Sequence, residues 1–180
     1  MFEIRPLHDT ELDRLAEIDV SESGSVVYAL VNGELRGHAE VWQRPRWDAA
    51  AWRRKYAEWQ HTLKMDVALG AFDKERLVGM ASLRYALTDS MAQLTTLHVD
   101  RTYRKQGVAR ALVREVIRLV KAAGAASLYV SAVPSESALG FYRSQGFALV
   151  DEPHPRLFEL EPEDIHMVKN LSKTMQKGQS

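Results

Sequence analysis

The stretch Arg104-Lys105-Gln106-Gly107-Val108-Ala109-Arg110-Ala111-Leu112-Val113-Arg114-Glu115-Val116 decides the fold. Two basic residues stand just before a glycine, and a strongly helical run follows at once. The first N–H groups of a helix have no internal partner, and the helix dipole is positive at that end. Gly107 lets a ligand come close to the backbone, and Arg104 and Lys105 add charge at the mouth. Such a helix start takes an anion, most naturally a phosphate or pyrophosphate. It is not a P-loop, because no Lys-Ser/Thr follows Gly107, and it has no G-x-G-x-x-G of a dinucleotide fold. Read alone, the motif fits a plain helix start with surface basic residues equally well.

Working outward, MAQLTTLHVD immediately before it reads as a strand. DVALGAFD and RLVGMASLRYAL, joined by a turn at Asp73-Lys74, precede that strand and make an antiparallel meander with it. Downstream, the amphipathic helix ends at Gly124, a C′ glycine. ASLYVSAV follows as a buried strand, SESALGFYRSQGF as a capped helix stopped by Gly146, and FALVDE and DIHMVKNL as two last strands able to pair. Between those two, Glu161, Glu163 and Asp164 read as a solvated turn. Upstream, FEIRPL is a strand, and HDTELDRLAEID is a helix with Asp9 or Thr10 as its cap. SVVYALVNGELRGHAEVW is a hairpin turning at Asn32-Gly33. RWDAAAWRRKYAEWQHTLK is a helix capped by Asp48, with Trp52, Tyr56 and Trp59 on one face. This order gives a mixed α/β layer fold with helices on both faces of the sheet.

The 180 residues favour one domain, expected over 1–172. Residues 20–62, the hairpin and the aromatic helix, form an elaboration on it. Residues 173–180 read as a polar tail. Lys plus Arg equals 24 and Asp plus Glu equals 24, so no global charge draws the chain to nucleic acid or to a membrane. The basic run Arg101, Arg104, Lys105, Arg110 and Arg114 has no aromatic interleaving of the kind that binds single strands. The chain has no cysteine, which removes disulfides, thiolate metal sites and any acyl-cysteine intermediate. No signal peptide or membrane span is read in the sequence, and a cytoplasmic location is expected. His8, His38, His61, His154 and His166 show no ligand spacing, so no metal is expected.

Three blocks together carry a family resemblance. Arg104-Lys105-Gln106-Gly107-Val108-Ala109 resembles the Q/R-x-x-G-x-G/A loop of the GNAT N-acetyltransferase superfamily. Leu97-His98-Val99 stands where that family's strand offers its backbone to a pantetheine arm. Ser135 to Phe147, SESALGFYRSQGF, is similar to the family's N-x-x-A-x-x-F-Y-x-x-x-G-F helix, with serine where asparagine is frequent. The resemblance implies a GNAT-like fold, with a mostly antiparallel central sheet splayed in the middle. It implies acetyl-CoA as cosubstrate and no metal.

Site roles follow from the resemblance. Leu97, His98 and Val99 would meet the pantetheine. Arg104, Lys105, Gln106, Gly107, Val108, Ala109 and Arg110 would hold the pyrophosphate. Ser135 and Ala138 would lie against the ligand. Tyr142 would be the general acid for the departing thiolate, and a phenol with a pKa of ~10 has the required proton at neutral pH. The Val99 N–H would polarise the carbonyl. The base is open: Gln93 stands where relatives carry glutamate. His98 is suitable in kind, but strict alternation puts it on the face opposite Gln93, Leu97 and Val99. Glu34 and Glu40 are other candidates. The expected acceptor is a primary amine of a small molecule, and the strand and helix order faintly resembles streptothricin-type acetyltransferases. The alternatives are a protein N-terminus or lysine as acceptor, and a non-catalytic acyl-CoA sensor. A homodimer is compatible with the family.

Overall fold

A computed structural model describes residues 1–172; the polar tail expected at 173–180 lies outside the described residues. The elements are β1 (Glu3–Pro6), a 3₁₀ segment (Asp9–Glu17), β2 (Glu22–Val31), β3 (Glu34–Arg44), α1 (Ala49–Thr62), β4 (Val67–Asp73), β5 (Arg76–Arg84), β6 (Met91–Val99), α2 (Val108–Ala122), β7 (Ser127–Ala132), α3 (Glu136–Ser144), β8 (Ala148–Leu149), α4 (Pro155–Leu160) and β9 (Ile165–Asn170). A seven-stranded sheet has the order β1-β4-β5-β6-β7-β9-β8, and β2-β3 form a separate two-stranded ribbon. Every pair in the large sheet is antiparallel except β6–β7.

The sheet separates two cores. On one face, Val108, Leu112, Val113, Val116 and Val120 of α2 and Leu139 and Tyr142 of α3 pack on Leu69, Val78, Leu94, Leu128 and Val130. On the other, Trp52 and Tyr56 of α1 meet Leu15 and Ile18 of the 3₁₀ segment over Phe72, Leu77 and Met80. Helices therefore cover both faces of a mixed α/β sheet. Gly79 of β5 faces α2 at close range: a Cβ there would lie 2.9 Å from Val108 Cγ1 and 3.0 Å from the His98 carbonyl oxygen.

Local signals explain most boundaries. Asn32 (φ 53°) and Gly33 (φ 79°) supply the two positive φ angles of a tight hairpin turn. Asp48 caps α1 by accepting from Ala51 N–H at 2.7 Å, and Ser135 caps α3 by accepting from Ala138 N–H at 3.3 Å.

Three expectations change. HDTELDRLAEID is a 3₁₀ segment preceded by His8, not a helix capped by Asp9 or Thr10. Glu11 reaches back to accept from His8 N–H at 3.2 Å and is held by Arg5 at 2.7 Å, so the tie comes from within the segment. The last two strands pair antiparallel as expected, Ala148 with Val168 and Leu149 with Met167, but PRLFEL forms an unexpected α4 between them, with Pro155 in its first turn. The Glu161–Asp164 stretch is a turn with Glu163 exposed, as expected, but the Glu161 and Asp164 carboxyls line the central cavity instead of facing solvent.

Candidate active site

Pairing between β6 and β7 covers only Met91–Gln93 against Ser127–Tyr129. Beyond Gln93 the two strands part, and β6 keeps only its β5 neighbour. Asp100 N–H donates to Val78 carbonyl at 2.9 Å, toward β5. Along a strand, successive residues present their N–H and C=O to opposite edges. His98 therefore faces β5, while Leu97 and Val99 turn their backbone groups to the open gap.

The gap leads into a cavity of about 640 Å³. At one end stands the start of α2. Gly107 is its N-cap, at φ 91° and ψ 1°, and Lys105 before it also has positive φ, 62°. A Cβ on Gly107 would meet nothing within 4 Å, so its open side faces space rather than protein. Ala111 N–H is held by the Gly107 carbonyl at 3.0 Å. The N–H groups of Val108, Ala109 and Arg110 before it are the orphans of the first turn. Arg104, Lys105, Gly107, Val108, Ala109 and Arg110 all line the cavity. Gln106 turns its side chain away and donates to Thr102 carbonyl at 2.7 Å, so only its backbone can serve a ligand.

Asp100 anchors this loop. It is fully buried and accepts from Thr102 N–H (2.9 Å), Thr102 hydroxyl (2.6 Å), Asp19 N–H (2.9 Å) and Arg76 (3.0 Å). Burial opposes its charge, yet these donors win and hold its carboxyl below the usual range.

Across the gap, Ser135, Ala138 and Tyr142 of α3 line the same cavity. Tyr142 is 7% exposed, with Phe141 and Phe147 edge-on at 5.3 and 5.4 Å. Burial first, and the charge of Asp164 second, push its phenol well above the ordinary value, so it stays protonated at any physiological pH.

The α1 side is aromatic. His98 stacks on Trp59 at 5.2 Å and meets Trp47 and Trp52 edge-on, each at 5.4 Å. Burial, then the positive charges of Arg44, Arg104 and Lys55, push its imidazole down to about 3. A neutral ring of so low a pKa is a poor proton acceptor. Trp42 does not join this group: its indole covers Gly24 in the ribbon and donates to Val26 carbonyl at 3.2 Å.

The alternation argument for His98 fails because β6 carries a bulge. Ser82 pairs with Thr96 but Leu83 pairs with Leu94, so Thr95 is an extra residue. One extra residue exchanges the faces beyond it. Ala92, Leu94, Leu97 and Val99 all pack on the α2 side. Gln93 pairs with Tyr129, which packs with Leu157 and Trp59 on the α1 side, and His98 lies on that side too. Gln93 and His98 thus share a face. Gln93 is 1% exposed, its Oε1 finds no partner among the described residues, and it does not reach the cavity. Glu34 and Glu40 are spent on exposed pairs with Arg36 (3.1 Å) and His38 (2.9 Å) in the ribbon.

Sequence reasoning missed several wall residues. Glu22, Arg44, Lys55, Tyr103, Phe141, Glu161 and Asp164 all face the cavity. Burial, then Glu161, pushes the Asp164 carboxyl up to about 7; burial also raises Glu161, against the lowering effect of Ser131. The missed signal was carboxylates directly ahead of a strand that pairs with β7. Among the described residues, no group of three His, Asp or Glu side chains converges as a metal site would need. No described helix is long and apolar enough to cross a membrane.

Known structures share this architecture. Nourseothricin acetyltransferase superposes with TM-score 0.73 at 16% identity, over 95% of this chain and 99% of that one. A candidate streptothricin acetyltransferase from Bacillus anthracis str. Ames, solved with acetyl coenzyme A, gives 0.68 at 18% identity, over 93% and 96%. The ribosomal-protein-S18-alanine N-acetyltransferase from Escherichia coli gives 0.60 at 19% identity, over the whole of both chains. At these identities the likeness is one of fold. A search of curated proteins by sequence finds no match. The acetyltransferase (GNAT) family matches residues 43–147, more than half of the chain, and takes in the meander, the α2 loop and the Tyr142 helix. The chain is therefore an acyltransferase of the acetyltransferase (GNAT) family.

Proposed function

We propose that the protein moves an acetyl group from acetyl-CoA to a primary amine of a small molecule, by direct attack, with Tyr142 as general acid. One observation carries this reading. The anion-type start of α2, the free backbone edge of Leu97 and Val99, and the Tyr142 ring all open onto one cavity across the β6–β7 fork.

The parts fit acetyl-CoA. The first-turn N–H groups of α2, with Arg104, Lys105 and Arg110, suit a pyrophosphate. Leu97 and Val99 suit the amides of an extended arm, as an edge strand does. Ser135, Ala138 and the neighbouring Ser137 stand on the opposite wall. Val99 N–H points into the gap and is suited to polarise the carbonyl. Tyr142 has a proton to give when the thiolate leaves.

The acceptor side is supported by residues 20–62, which we assign to acceptor binding. Glu22 and Arg44 of the ribbon and Trp47, Lys55 and Trp59 around α1 wall the cavity. The ribbon is tied down over α3, with Tyr28 N–H on Pro134 carbonyl at 2.9 Å and Ser137 hydroxyl on Glu22 at 2.6 Å. The aromatic lining by Trp47 and Trp59 suits a small amine. Two of the similar folds carry names of small-molecule acetyltransferases. The cysteine-free chain fits the cytoplasm.

The test is thiol release from acetyl-CoA with nourseothricin, spermidine and a peptide bearing a free N-terminus and a lysine. Release with a small amine and not with the peptide supports the reading. Release with the peptide alone moves the acceptor to protein, and binding of acetyl-CoA with no release from any of the three leaves a sensor.

A further inference from the structure

Direct attack needs a neutral amine, but an alkyl amine with a pKa of ~10 is almost wholly ammonium at neutral pH. Something must take that proton. Three carboxylates line the cavity: Glu22, Glu161 and Asp164. Glu22 is held by Arg44 at 2.7 Å and accepts from Ser137 at 2.6 Å. Glu161 lies beside Ser131, which lowers its carboxyl against the effect of burial. The Asp164 side chain has no hydrogen-bond or ion-pair partner among the described residues. Asp164 and Tyr142 line the same cavity, and the Asp164 charge is the second cause, after burial, of the raised phenol.

We propose that the Asp164 carboxylate removes the proton from the acceptor ammonium, with Glu161 as a positioning residue behind it. This rests on the acetyltransferase reading of the cavity and adds the base that reading lacks. The steps balance. The ammonium gives one proton to Asp164, and the freed nitrogen lone pair attacks the thioester carbonyl carbon. The C–N bond forms, the C–S bond breaks, and the electron pair leaves on sulfur. Tyr142 gives its proton to sulfur, and the nitrogen's second proton restores the Tyr142 hydroxyl. The proton on Asp164 then goes to solvent through the open cavity.

Burial and Glu161 lift the Asp164 carboxyl to about 7, so the group accepts a proton near neutrality without holding it. The exchange also helps the acid. The Asp164 charge is the second cause of the raised phenol, and it vanishes once Asp164 has taken the proton. Tyr142 is then a stronger acid when the thiolate needs one.

Other groups on the wall do not take the role. Arg44 and Lys55 are cations, and His98 is held neutral at a pKa of about 3. Arg104, Lys105 and Arg110 stand at the α2 start. On the side of β7 and β9, His166 lies against Tyr129 (2.8 Å) and the Glu161 carbonyl (3.2 Å), and burial lowers its pKa.

The test uses the full chain, acetyl-CoA, and nourseothricin or spermidine, with kcat/KM followed from pH 5.5 to 9.5. The wild type is expected to lose activity below about pH 7, where Asp164 is protonated. Asp164→Asn is expected to lose roughly 10²- to 10³-fold at pH 7 with unchanged acetyl-CoA affinity. The deficit should shrink at high pH, where the amine arrives neutral, and Asp164→Glu should recover part of it. Glu161→Gln removes the charge that raises Asp164, so its acid limb should move to lower pH. Asp164→Asn within about threefold of the wild type at pH 7 overturns the proposal. So does an acid limb that Glu161→Gln does not move, and that shift decides alone if Asp164→Asn fails to fold. A wild type that binds acetyl-CoA but turns over neither amine also overturns it. One that binds no acetyl-CoA instead overturns the reading on which it rests.

Discussion

Tyr142 lies between Phe141 and Phe147, and that packing keeps its phenol protonated while leaving it on the cavity wall. Replacing it with phenylalanine keeps the ring contacts and removes only the proton. Tyr142→Phe is expected to lower kcat by roughly 10²- to 10⁴-fold while the Kd for acetyl-CoA and the Tm stay near wild type, read by thiol release and calorimetry. Tyr142 itself was legible, because a Phe-Tyr pair ahead of Gly146-Phe147 is a spaced motif. His98 was legible as a residue but not as a direction. The extra residue at Thr95 turned it to the tryptophan side, and a bulge leaves no mark in a run such as QLTTL. Asp164 was unreadable for a different reason. Its chemistry comes from burial beside Glu161 and Tyr142, which lie 3 and 22 positions away in the sequence.

At the scale of elements, the proposed anion site at the start of α2 depends on the close packing of that helix on β5. Gly79 permits that contact. Gly79→Val would set new atoms against Val108, Leu112 and the His98 carbonyl. The expected result is a loss of about 1–3 kcal/mol of stability together with weaker acetyl-CoA binding, because the displaced end of α2 carries the free N–H groups. Denaturant unfolding and titration calorimetry on the same variant would check both. Elements with strong punctuation were legible: the hairpin at Asn32-Gly33, α1 behind Asp48, and α2 between Gly107 and Gly124. The ones that escaped are short. PRLFEL is a helix of 6 residues and β8 a strand of 2, lengths at which periodicity carries no information. The fork between β6 and β7 was expected from the family alone, since nothing in either strand's composition says where pairing stops.

For the whole molecule, the same carboxyls tie stability to pH in opposite directions. Asp100 is held below the usual carboxyl range, so the stability it contributes is present at neutral pH and lost as pH falls below about 4. Asp164 is raised to about 7, so the folded chain holds its proton more tightly than the unfolded one does. That contribution is present in acid and lost as pH rises from about 4 through 7. Asparagine imitates the protonated form. Asp164→Asn is therefore expected to melt higher than the wild type at pH 8, by about 2–4 °C for each kcal/mol recovered, and to converge with it near pH 4. Equal melting temperatures at both pH values would contradict the burial assigned to this carboxyl. A gain in stability alongside a loss of turnover is what a site residue, held against its own preference, should show.

The central claim is that the start of α2 holds the pyrophosphate of acetyl-CoA, and titration calorimetry with Gly107→Glu tests it most directly. The position has open space for a side chain, but its φ of 91° disfavours one, so the fold is checked first by circular dichroism and Tm. The wild type should bind acetyl-CoA with a Kd of roughly micromolar order, about −8 kcal/mol. The folded variant, with a carboxylate where the phosphates belong, should show no measurable binding. Equal affinity in the two proteins would contradict the assignment and leave Gly107 as a helix start only.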